Sequence, residues 1–308
     1  GSLTDVETGC ISTGSFTLIV NPLPSTIEMT PLAICADDTD GFASFILTDK
    51  DVEALNVNDS TEVIVSYHVS ELDADSGGNA LPITYMNTEV NTQTIFIRLE
   101  IVSTGCYATT TLDLEVLPLP VVPTITDYVL CDNTDSGDLQ EIFDLSINDS
   151  DIIGIQNSSV AYYDSQADAD AGINALVNVY ENTSSPQTIY VSLTDLETGC
   201  ISTGSFTLIV NPLPSLVLPT PLEVCDDGTP DGLTELNLSI KDDEIRGGNP
   251  DYSISYYLTQ SDADLGVTPL SIPYTNISNP QTVFVRGENV NTGCVATTTL
   301  ELGVIQAA

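Results

Sequence analysis

The stretch Gln93-Thr94-Ile95-Phe96-Ile97-Arg98, the turn Thr104-Gly105-Cys106 and the run Thr111-Leu112-Asp113-Leu114-Glu115-Val116 together predict a β-hairpin. Apolar side chains recur at every second position in both runs, at Ile95 and Ile97 and at Leu112 and Leu114, which is typical of half-buried strands. Thr, Ile, Val and Phe, which favour strands, are frequent in both runs. We therefore predict a sheet with one buried face at this point of the chain.

Similar hairpins occur elsewhere in the chain, and each is followed by Pro-Leu-Pro. The Pro-Leu-Pro segments begin at Pro22, Pro118 and Pro212, so the period is 96 and then 94 residues. Self-similarity at a fixed period indicates a tandem array of structural units. We predict three domains and the closing hairpin of a truncated preceding repeat, which are repeat 1 (22–117), repeat 2 (118–211), repeat 3 (212–308) and the leading hairpin (1–21).

Each repeat shows the same order of features after its Pro-Leu-Pro. A short apolar run ends in Cys and an acidic turn, and alternating β-rich runs follow. The Asp-Ala-Asp elements at Asp73, Asp168 and Asp262 are predicted to form short helical turns, with Ser70 or Ser165 as N-cap. Turn residues every 8–12 positions and a repeat of about 95 residues predict an all-β protein of tandem immunoglobulin-like β-sandwich repeats. Stiff Pro-containing linkers predict that these repeats form an elongated rod.

The charge of the chain is strongly acidic, with 45 Asp and Glu against 5 Lys and Arg and a formal net charge of −40. Nucleic-acid binding requires clustered cationic side chains, and docking on anionic lipid requires the same. No apolar run approaches the ~18 residues that a membrane-spanning helix needs. We therefore expect no nucleic-acid partner and no direct membrane insertion. An acidic surface that keeps the protein soluble or collects divalent cations fits this composition.

Catalysis has few candidate residues in this sequence. The single histidine, His68, stands where the other repeats have Tyr163 and Tyr257, so it is not an irreplaceable general base. No nucleophile elbow, zinc-binding His-Glu-x-x-His or phosphate loop is present. The absence of Trp also disfavours a glycosidase. We predict that the chain is not an enzyme and that His68 is a half-buried strand residue.

The acidic turn after the first cysteine of each repeat is the best candidate for a site. Calcium prefers six to eight oxygen ligands, and Asp side chains near a Gly can supply several of them. The alternative is that Asp-Gly forms tight turns between strands. The candidate calcium ligands are Asp37, Asp38 and Asp40 in repeat 1, Asp132, Asp135 and Asp138 in repeat 2, and Asp226, Asp227 and Asp231 in repeat 3.

Seven cysteines at regular spacing indicate an oxidising compartment outside the cytosol. The first pairing is within repeats, Cys35–Cys106, Cys131–Cys200 and Cys225–Cys294, and leaves Cys10 unpaired. The second pairing joins neighbours across linkers, Cys10–Cys35, Cys106–Cys131 and Cys200–Cys225. We favour the first, because a closed loop of about 70 residues would stabilise each repeat by ~4 kcal/mol in the chain-entropy model. Against it, a standard sandwich places the first strand's end far from the last turn.

The order of these motifs resembles a known group of proteins. Leu130-Cys131-Asp132, Tyr162-Tyr163 before an Asp-Ala-Asp element, Gln187-Thr188-Ile189-Tyr190-Val191, Thr198-Gly199-Cys200 and Pro-Leu-Pro resemble the immunoglobulin-like repeats of large Bacteroidota cell-surface adhesins. These include gliding-motility-associated proteins exported by type IX secretion. The resemblance implies an extracellular, cell-surface adhesin or stalk, and both ends are expected to lie within a longer protein.

Three functions remain open from the sequence. The first is a non-catalytic spacer or adhesin stalk, whose partners are the neighbouring repeats of the same chain. The second is a module that binds a surface glycan or another cell-surface protein, and it requires an exposed aromatic patch. The third is an accessory region of a secreted hydrolase. The candidate aromatic residues are Tyr67, Tyr162, Tyr163, Tyr256 and Tyr257, although their strand positions favour the core.

Overall fold

The computed structural model describes residues 1–37, 40–133, 137–227 and 229–305. The chain divides into two compact units. The first unit comprises residues 1–121 with 156–158 and 194–202, and the second comprises 122–155, 159–193 and 203–308. No helix within these described ranges is long and apolar enough to cross a membrane.

The leading hairpin and repeat 1 contain eight strands and two short α-helices among the described residues. The strands are β1 (Ser2–Thr4), β2 (Ile11–Thr13), β3 (Leu32–Cys35), β4 (Ser44–Ile46), β5 (Val63–His68), β6 (Thr84–Met86), β7 (Thr92–Ile101) and β8 (Tyr107–Leu117). The helices are α1 (Asp51–Leu55) and α2 (Glu71–Ser76), and a 3-10 turn, Leu47–Lys50, precedes α1.

Repeats 2 and 3 show the same order of elements. Repeat 2 contains β9 (Tyr128–Cys131), β10 (Ile142–Asp144), α3 (Asp149–Ile153), β11 (Ser158–Tyr163), α4 (Gln166–Ala171), β12 (Val179–Glu181), β13 (Gln187–Asp195) and β14 (Ile201–Asn211). Repeat 3 contains β15 (Leu222–Cys225), β16 (Glu235–Leu236), α5 (Asp242–Ile245), β17 (Tyr252–Tyr257), α6 (Gln260–Leu265), β18 (Tyr274–Thr275), β19 (Gln281–Asn289) and β20 (Val295–Ile305). The 3-10 turns Leu145–Asn148 and Leu238–Lys241 precede α3 and α5.

Two sheets form each repeat. In repeat 1 the larger sheet has the order β3-β8-β7-β5, and β4 pairs with β6 in the smaller one. The first strand runs parallel to the last, with Cys35 opposite Leu117, while β5, β7 and β8 are antiparallel neighbours. Repeats 2 and 3 have the same strand order. This is the arrangement of a small immunoglobulin-like sandwich, so the predicted all-β tandem fold is confirmed, and the elongated rod stays a prediction.

The alternation in the opening hairpin places one face in the core of repeat 1. Ile95 and Ile97 of β7 are fully buried, and Leu112 and Leu114 of β8 are each only 1% exposed. Phe45 of the smaller sheet packs in the same cluster. Equivalent clusters fill repeats 2 and 3. Burial of these side chains removes apolar surface from water and is the main stabilising contribution to each sandwich.

The predicted helical turns at the Asp-Ala-Asp elements are confirmed. In α2, the Ser70 hydroxyl accepts a hydrogen bond from the Asp73 N–H at 3.1 Å and donates to the Asp73 carboxylate at 2.6 Å. Ser165 caps α4 through Asp168 in the same way, and Thr259 caps α6. Such caps satisfy N–H groups that would otherwise lack a partner at the start of a helix.

A tyrosine on the third strand of each repeat is hydrogen-bonded to the helix that precedes it. The Tyr67 hydroxyl donates to Asp51 at 2.7 Å, and Tyr256 donates to Asp242 at 2.7 Å. Burial and the adjacent carboxylate both raise the pKa of Tyr67 above its usual range. The phenol therefore stays neutral and fixes α1 against the sheet.

The leading hairpin shows how burial depends on the surrounding strands. Residues 2–25 match 192–215 except that Val6 replaces Leu196. Phe16 is nevertheless 77% exposed, whereas the equivalent Phe206 of β14 is 3% exposed. β14 pairs with β9 and β13, but residues 14–21 form no strand. The sequence of this segment therefore needs the other strands of a repeat to bury its apolar face.

Candidate functional site

Two disulfide bonds join different repeats. Cys35, at the end of β3 in repeat 1, bonds to Cys200 in the hairpin turn of repeat 2. Cys131, at the end of β9 in repeat 2, bonds to Cys294 in the hairpin turn of repeat 3. Both pairs have a Cα–Cα distance of 5.6 Å, and they span 165 and 163 residues of sequence. The same rule therefore applies twice: the first strand of one repeat bonds to the last turn of the next.

The predicted pairing within repeats, Cys35–Cys106, Cys131–Cys200 and Cys225–Cys294, is therefore wrong. Cys35 lies beside Leu117 at the end of β8, whereas Cys106 lies just before the start of that strand. Eleven residues of extended strand separate the two ends by about 35 Å, far beyond the reach of a disulfide. The register of the parallel first strand thus excludes the bond.

The alternative pairing across linkers, Cys10–Cys35, Cys106–Cys131 and Cys200–Cys225, is wrong as well, because Cys35, Cys131 and Cys200 are bonded elsewhere. Cys10, Cys106 and Cys225 are reduced. Four of the six cysteines predicted to form disulfides do so, namely Cys35, Cys131, Cys200 and Cys294. The structure leaves Cys106 and Cys225 as free thiols.

The last aspartate of each acidic turn stabilises the turn itself. One carboxylate oxygen of Asp40 accepts a hydrogen bond from the Phe42 N–H at 2.8 Å. Asp138 accepts from the Gln140 N–H at 3.0 Å, and Asp231 accepts from the Leu233 N–H at 2.9 Å. A side-chain oxygen that accepts from the backbone two residues later is typical of an Asx turn. These contacts fit the turn interpretation of the Asp-Gly segments.

The first aspartate of the turn in repeats 2 and 3 spans the loop. Asp226 accepts from the Gly232 N–H at 3.0 Å. Asp132 accepts from the Gly137 N–H, is only 1% exposed, and its other carboxylate oxygen has no hydrogen-bond partner. An unpartnered buried carboxylate oxygen is costly unless an ion or water compensates it.

The remaining candidate calcium ligands are Asp37, Asp38, Asp135 and Asp227. Asp37 and Asp227 are exposed. Asp38 and Asp135 lie outside the described residues. Within the ranges 1–37, 40–133, 137–227 and 229–305, no three His, Cys, Asp or Glu side chains are grouped closely enough to hold a metal ion. Calcium binding by these turns therefore stays a prediction.

A buried asparagine, which we did not predict from the sequence, holds each acidic turn. Asn182 is 1% exposed and accepts from the Glu141 N–H at 2.7 Å. Its amide group donates to the carbonyl oxygens of Leu139 at 2.9 Å and Ser184 at 2.8 Å. Asn87 and Asn276 make the equivalent three bonds in repeats 1 and 3, and we call these three residues the asparagine clamp. The recurrence of Tyr-x-Asn is the signal that could have identified it.

A glutamine six or five residues after each clamp asparagine supports the loop that carries this asparagine. Gln93 accepts from the Thr88 N–H at 2.7 Å and donates to the Tyr85 hydroxyl at 2.9 Å. Gln187 and Gln281 form the same contacts with their own repeats. All three amides are at most 7% exposed. The asparagine that holds each acidic turn is thus itself supported by a buried, hydrogen-bonded glutamine.

The tyrosines considered for an aromatic binding patch are buried. Their exposed fractions are 5% for Tyr67, 2% for Tyr162, 3% for Tyr163, 1% for Tyr256 and 3% for Tyr257. None of these five rings is therefore available as a platform for a sugar.

His68 is also a structural residue of its strand. It is fully buried on β5, within 2.9 Å of the Ser66 hydroxyl and 2.7 Å of the Gly78 carbonyl oxygen. The prediction of a structural strand residue is confirmed, and its burial is complete rather than partial.

A lysine, a glutamate and a threonine form a compact ionic group in repeats 1 and 3. The Lys50 ammonium donates to Glu53 and to the Thr30 hydroxyl, both at 2.7 Å, and the Thr30 N–H donates to Glu53 at 2.6 Å. Lys241, Glu244 and Thr220 repeat these contacts. The hydrogen bond from Lys50 lowers the pKa of Glu53 to about 2, and the Thr220 N–H together with Lys241 lowers that of Glu244 to about 2.

The ionic group predicts a pH-dependent effect of Glu53→Gln. A carboxyl whose pKa falls from 4.5 to about 2 on folding stabilises the protein fully above pH 4.5 and loses this contribution as the pH falls through 2. We expect Glu53→Gln to lower the melting temperature at pH 7, with a deficit that disappears near pH 2. Thermal unfolding from pH 7 to pH 2 measures it. Glu28→Gln, at an exposed position, is the control, and a deficit that persists at pH 2 would contradict the assignment.

Comparisons with known proteins agree with the disulfide pattern. The family model described as the Flavobacterium inter-domain disulphide bond domain matches residues 31–120, 127–214 and 221–308. None of the curated proteins compared matches the chain.

Among solved structures, an I-band fragment of titin is 10% identical, with 80% of this chain and 88% of that chain covered and a TM-score of 0.28. Extracellular domains 3–5 of Drosophila OTK are 9% identical, with coverage of 91% and 96% and a TM-score of 0.27. Domains EC1–3 of mouse PcdhgC3 are 8% identical, with coverage of 91% and 100% and a TM-score of 0.23. Likeness at this level carries no argument about function.

Proposed function

The chain belongs to the family of Flavobacterium inter-domain disulphide bond domains, and on this premise we propose that it is a non-catalytic spacer or stalk of an exported cell-surface protein. The observation that carries the proposal is the overlap of the two disulfides. Residues 131–200 lie inside both covalent loops, because Cys131 precedes Cys200 in the sequence. Each bond therefore links a repeat to the next one, in addition to the polypeptide chain itself.

A covalent link of this kind suits a region that bears load. Unfolding of one repeat lengthens a simple tandem array by the full length of that repeat. Where only one disulfide encloses a segment, that segment is bypassed and cannot extend, whether or not it is folded, and only the shared residues 131–200 still carry the load between the two bonds. Disulfides of this kind persist in oxidising surroundings, which supports an extracellular location. The resemblance to adhesin repeats supports attachment to a cell surface and a role in adhesion or gliding.

Single-molecule pulling tests the proposed function. A spacer whose repeats are joined by disulfides should extend less when these bonds are oxidised than when they are reduced. Equal maximum extensions of the two forms would contradict the proposal. The competing function, glycan recognition through aromatic platforms, is not favoured, because the five candidate tyrosines are buried.

We also propose that the acidic turn of repeat 2 binds calcium, because the buried Asp132 carboxylate retains an oxygen without a hydrogen-bond partner. A ligand that binds only the folded state adds about 2.7 kcal/mol to the free energy of unfolding when its free concentration is 100 times its Kd. We expect the melting temperature to rise with calcium and to fall again with a chelator, and Asp132→Asn to abolish the rise.

Two controls separate a calcium site from general screening. Sodium chloride at matched ionic strength relieves repulsion between carboxylates without coordination. Magnesium, which demands tighter octahedral geometry, should have a smaller effect. If sodium reproduces the whole shift, or if Asp132→Asn responds to calcium like the unmodified chain, the acidic turn is only a turn.

A further inference from the structure

Repeat 2 lacks the ionic group that repeats 1 and 3 share. Lys50 and Lys241 are the last residues of their 3-10 turns, and Asn148 holds that position in repeat 2. Glu53 and Glu244 are the third residues of α1 and α5, and Asp151 is the third residue of α3. The threonine two residues before the first strand is present in all three repeats and is Thr126 in repeat 2. Shorter side chains therefore replace the lysine and the glutamate.

These replacements leave a cleft of about 140 Å³ at the same place. Thr126, Asn148 and Asp151 supply its polar lining, and Pro123, Ile125 and Ile152 supply apolar walls. Within the part of the chain that the structure describes, the side chains of these three polar residues form no hydrogen bond or ion pair. The equivalent side chains of repeats 1 and 3 bond to one another around an ammonium group.

We propose that this cleft, the lysine cleft, binds a lysine side chain of another protein. The apolar walls suit the methylene stem, and the Asp151 carboxylate, the Asn148 amide oxygen and the Thr126 hydroxyl suit the ammonium group. Lys50 and Lys241 show that this fold holds an ammonium at the equivalent position twice within the same chain. The partner's lysine takes the place that Asn148 leaves vacant.

The lysine must come from outside this chain. Repeat 2 contains no Lys, Arg or His, against fourteen Asp and Glu. The five cations of the chain already form ion pairs within their own repeats. A partner that carries an exposed lysine on a basic surface is also favoured by the net charge of −40, which accelerates its encounter. This inference does not depend on the proposed spacer function, because it concerns a surface of repeat 2 alone.

The test is a nuclear magnetic resonance titration of the full 308-residue chain with the peptide acetyl-Gly-Lys-Gly-amide at constant ionic strength. We expect saturable shifts at Asn148 and its neighbours, with a Kd of about 1 mM for so small a probe. A peptide with norleucine in place of lysine has the same stem without the charge and should not bind. The absence of saturable shifts at about ten times this concentration would overturn the proposal.

Variants distinguish the cleft from the general acidity of the surface. Asp151→Asn should weaken binding at least about tenfold, whereas Glu181→Gln, which removes one exposed charge from the same repeat, should leave it unchanged. Asn148→Lys combined with Asp151→Glu rebuilds the ionic group of repeats 1 and 3 and should abolish binding. Equal weakening by Asp151→Asn and Glu181→Gln, or binding of the norleucine peptide, would show that the cleft does not recognise lysine.

Discussion

Pulled between its ends with every repeat unfolded, the oxidised chain should extend to about 400 Å and the reduced chain to about 1,050 Å. The difference arises because the two disulfides transmit the force directly, so that most residues of the chain are bypassed and are not stretched. In the oxidised chain, only residues 1–35, 131–200 and 294–308 lie on the path, which is about 120 of the 308 residues. Atomic force spectroscopy in the presence and absence of reductant measures both lengths.

Removal of one bond distinguishes overlapping disulfides from separate ones. With Cys294→Ser, the remaining bond still bypasses residues 35–200, so the path lengthens by only about 25 residues, or roughly 90 Å. A bond within a repeat, such as Cys225–Cys294, would instead release about 70 residues, or roughly 240 Å. A gain near the larger value, or no gain on reduction, would contradict the overlap.

Asn182→Ala should lower the free energy of unfolding by about 3 kcal/mol, the second large effect that we expect. The substitution removes three hydrogen bonds and leaves the Glu141 N–H and the Leu139 carbonyl without their partner next to a buried core. Buried unsatisfied backbone groups cost about 1–3 kcal/mol each. Denaturant unfolding measures the change. Asn178→Ala, at an exposed position at the other end of β12, should stay within about 0.5 kcal/mol. Equal effects of the two variants would show that the hydrogen bonds of the asparagine clamp do not contribute to the free energy of unfolding.

The fold of each repeat could be predicted from the sequence because its signals are local. The recurrence of apolar residues at every second position predicts which faces of β7 and β8 are buried. Ile95 and Leu112 lie in the core, as this pattern predicts. The N-terminus of α2 could be predicted from Ser70 and Asp73, because an N-cap hydrogen bond joins residues that are three positions apart. Local patterns of this kind are read directly from neighbouring residues.

The disulfide pairing could not be predicted, because it depends on contacts far apart in sequence. Regular spacing assigns one cysteine to the first strand and one to the last turn of a repeat, but it does not give the register of the strands. Only the parallel pairing of Cys35 with Leu117 shows that Cys106 lies at the far end of β8. The bond to Cys200 then depends on the next repeat, about which the sequence of repeat 1 contains no information.

The acidic turn was identified from the sequence, but what holds it was not. Asp40 and Asp231 form the Asx turns expected of Asp before Gly. Asn87 and Asn276 were missed because a chain rich in Asn gives no reason to select one as buried. A polar residue enters a core only when every donor and acceptor is bonded, and that condition depends on tertiary structure.

Mass mapping of the oxidised protein tests the central claim, that the first strand of one repeat is bonded to the last turn of the next. Digestion without reduction, after free thiols are alkylated, should yield peptides that link Cys35 with Cys200 and Cys131 with Cys294. Cys10, Cys106 and Cys225 should carry the alkyl group. A peptide that links Cys131 with Cys200, or Cys106 with Cys131, would contradict the account.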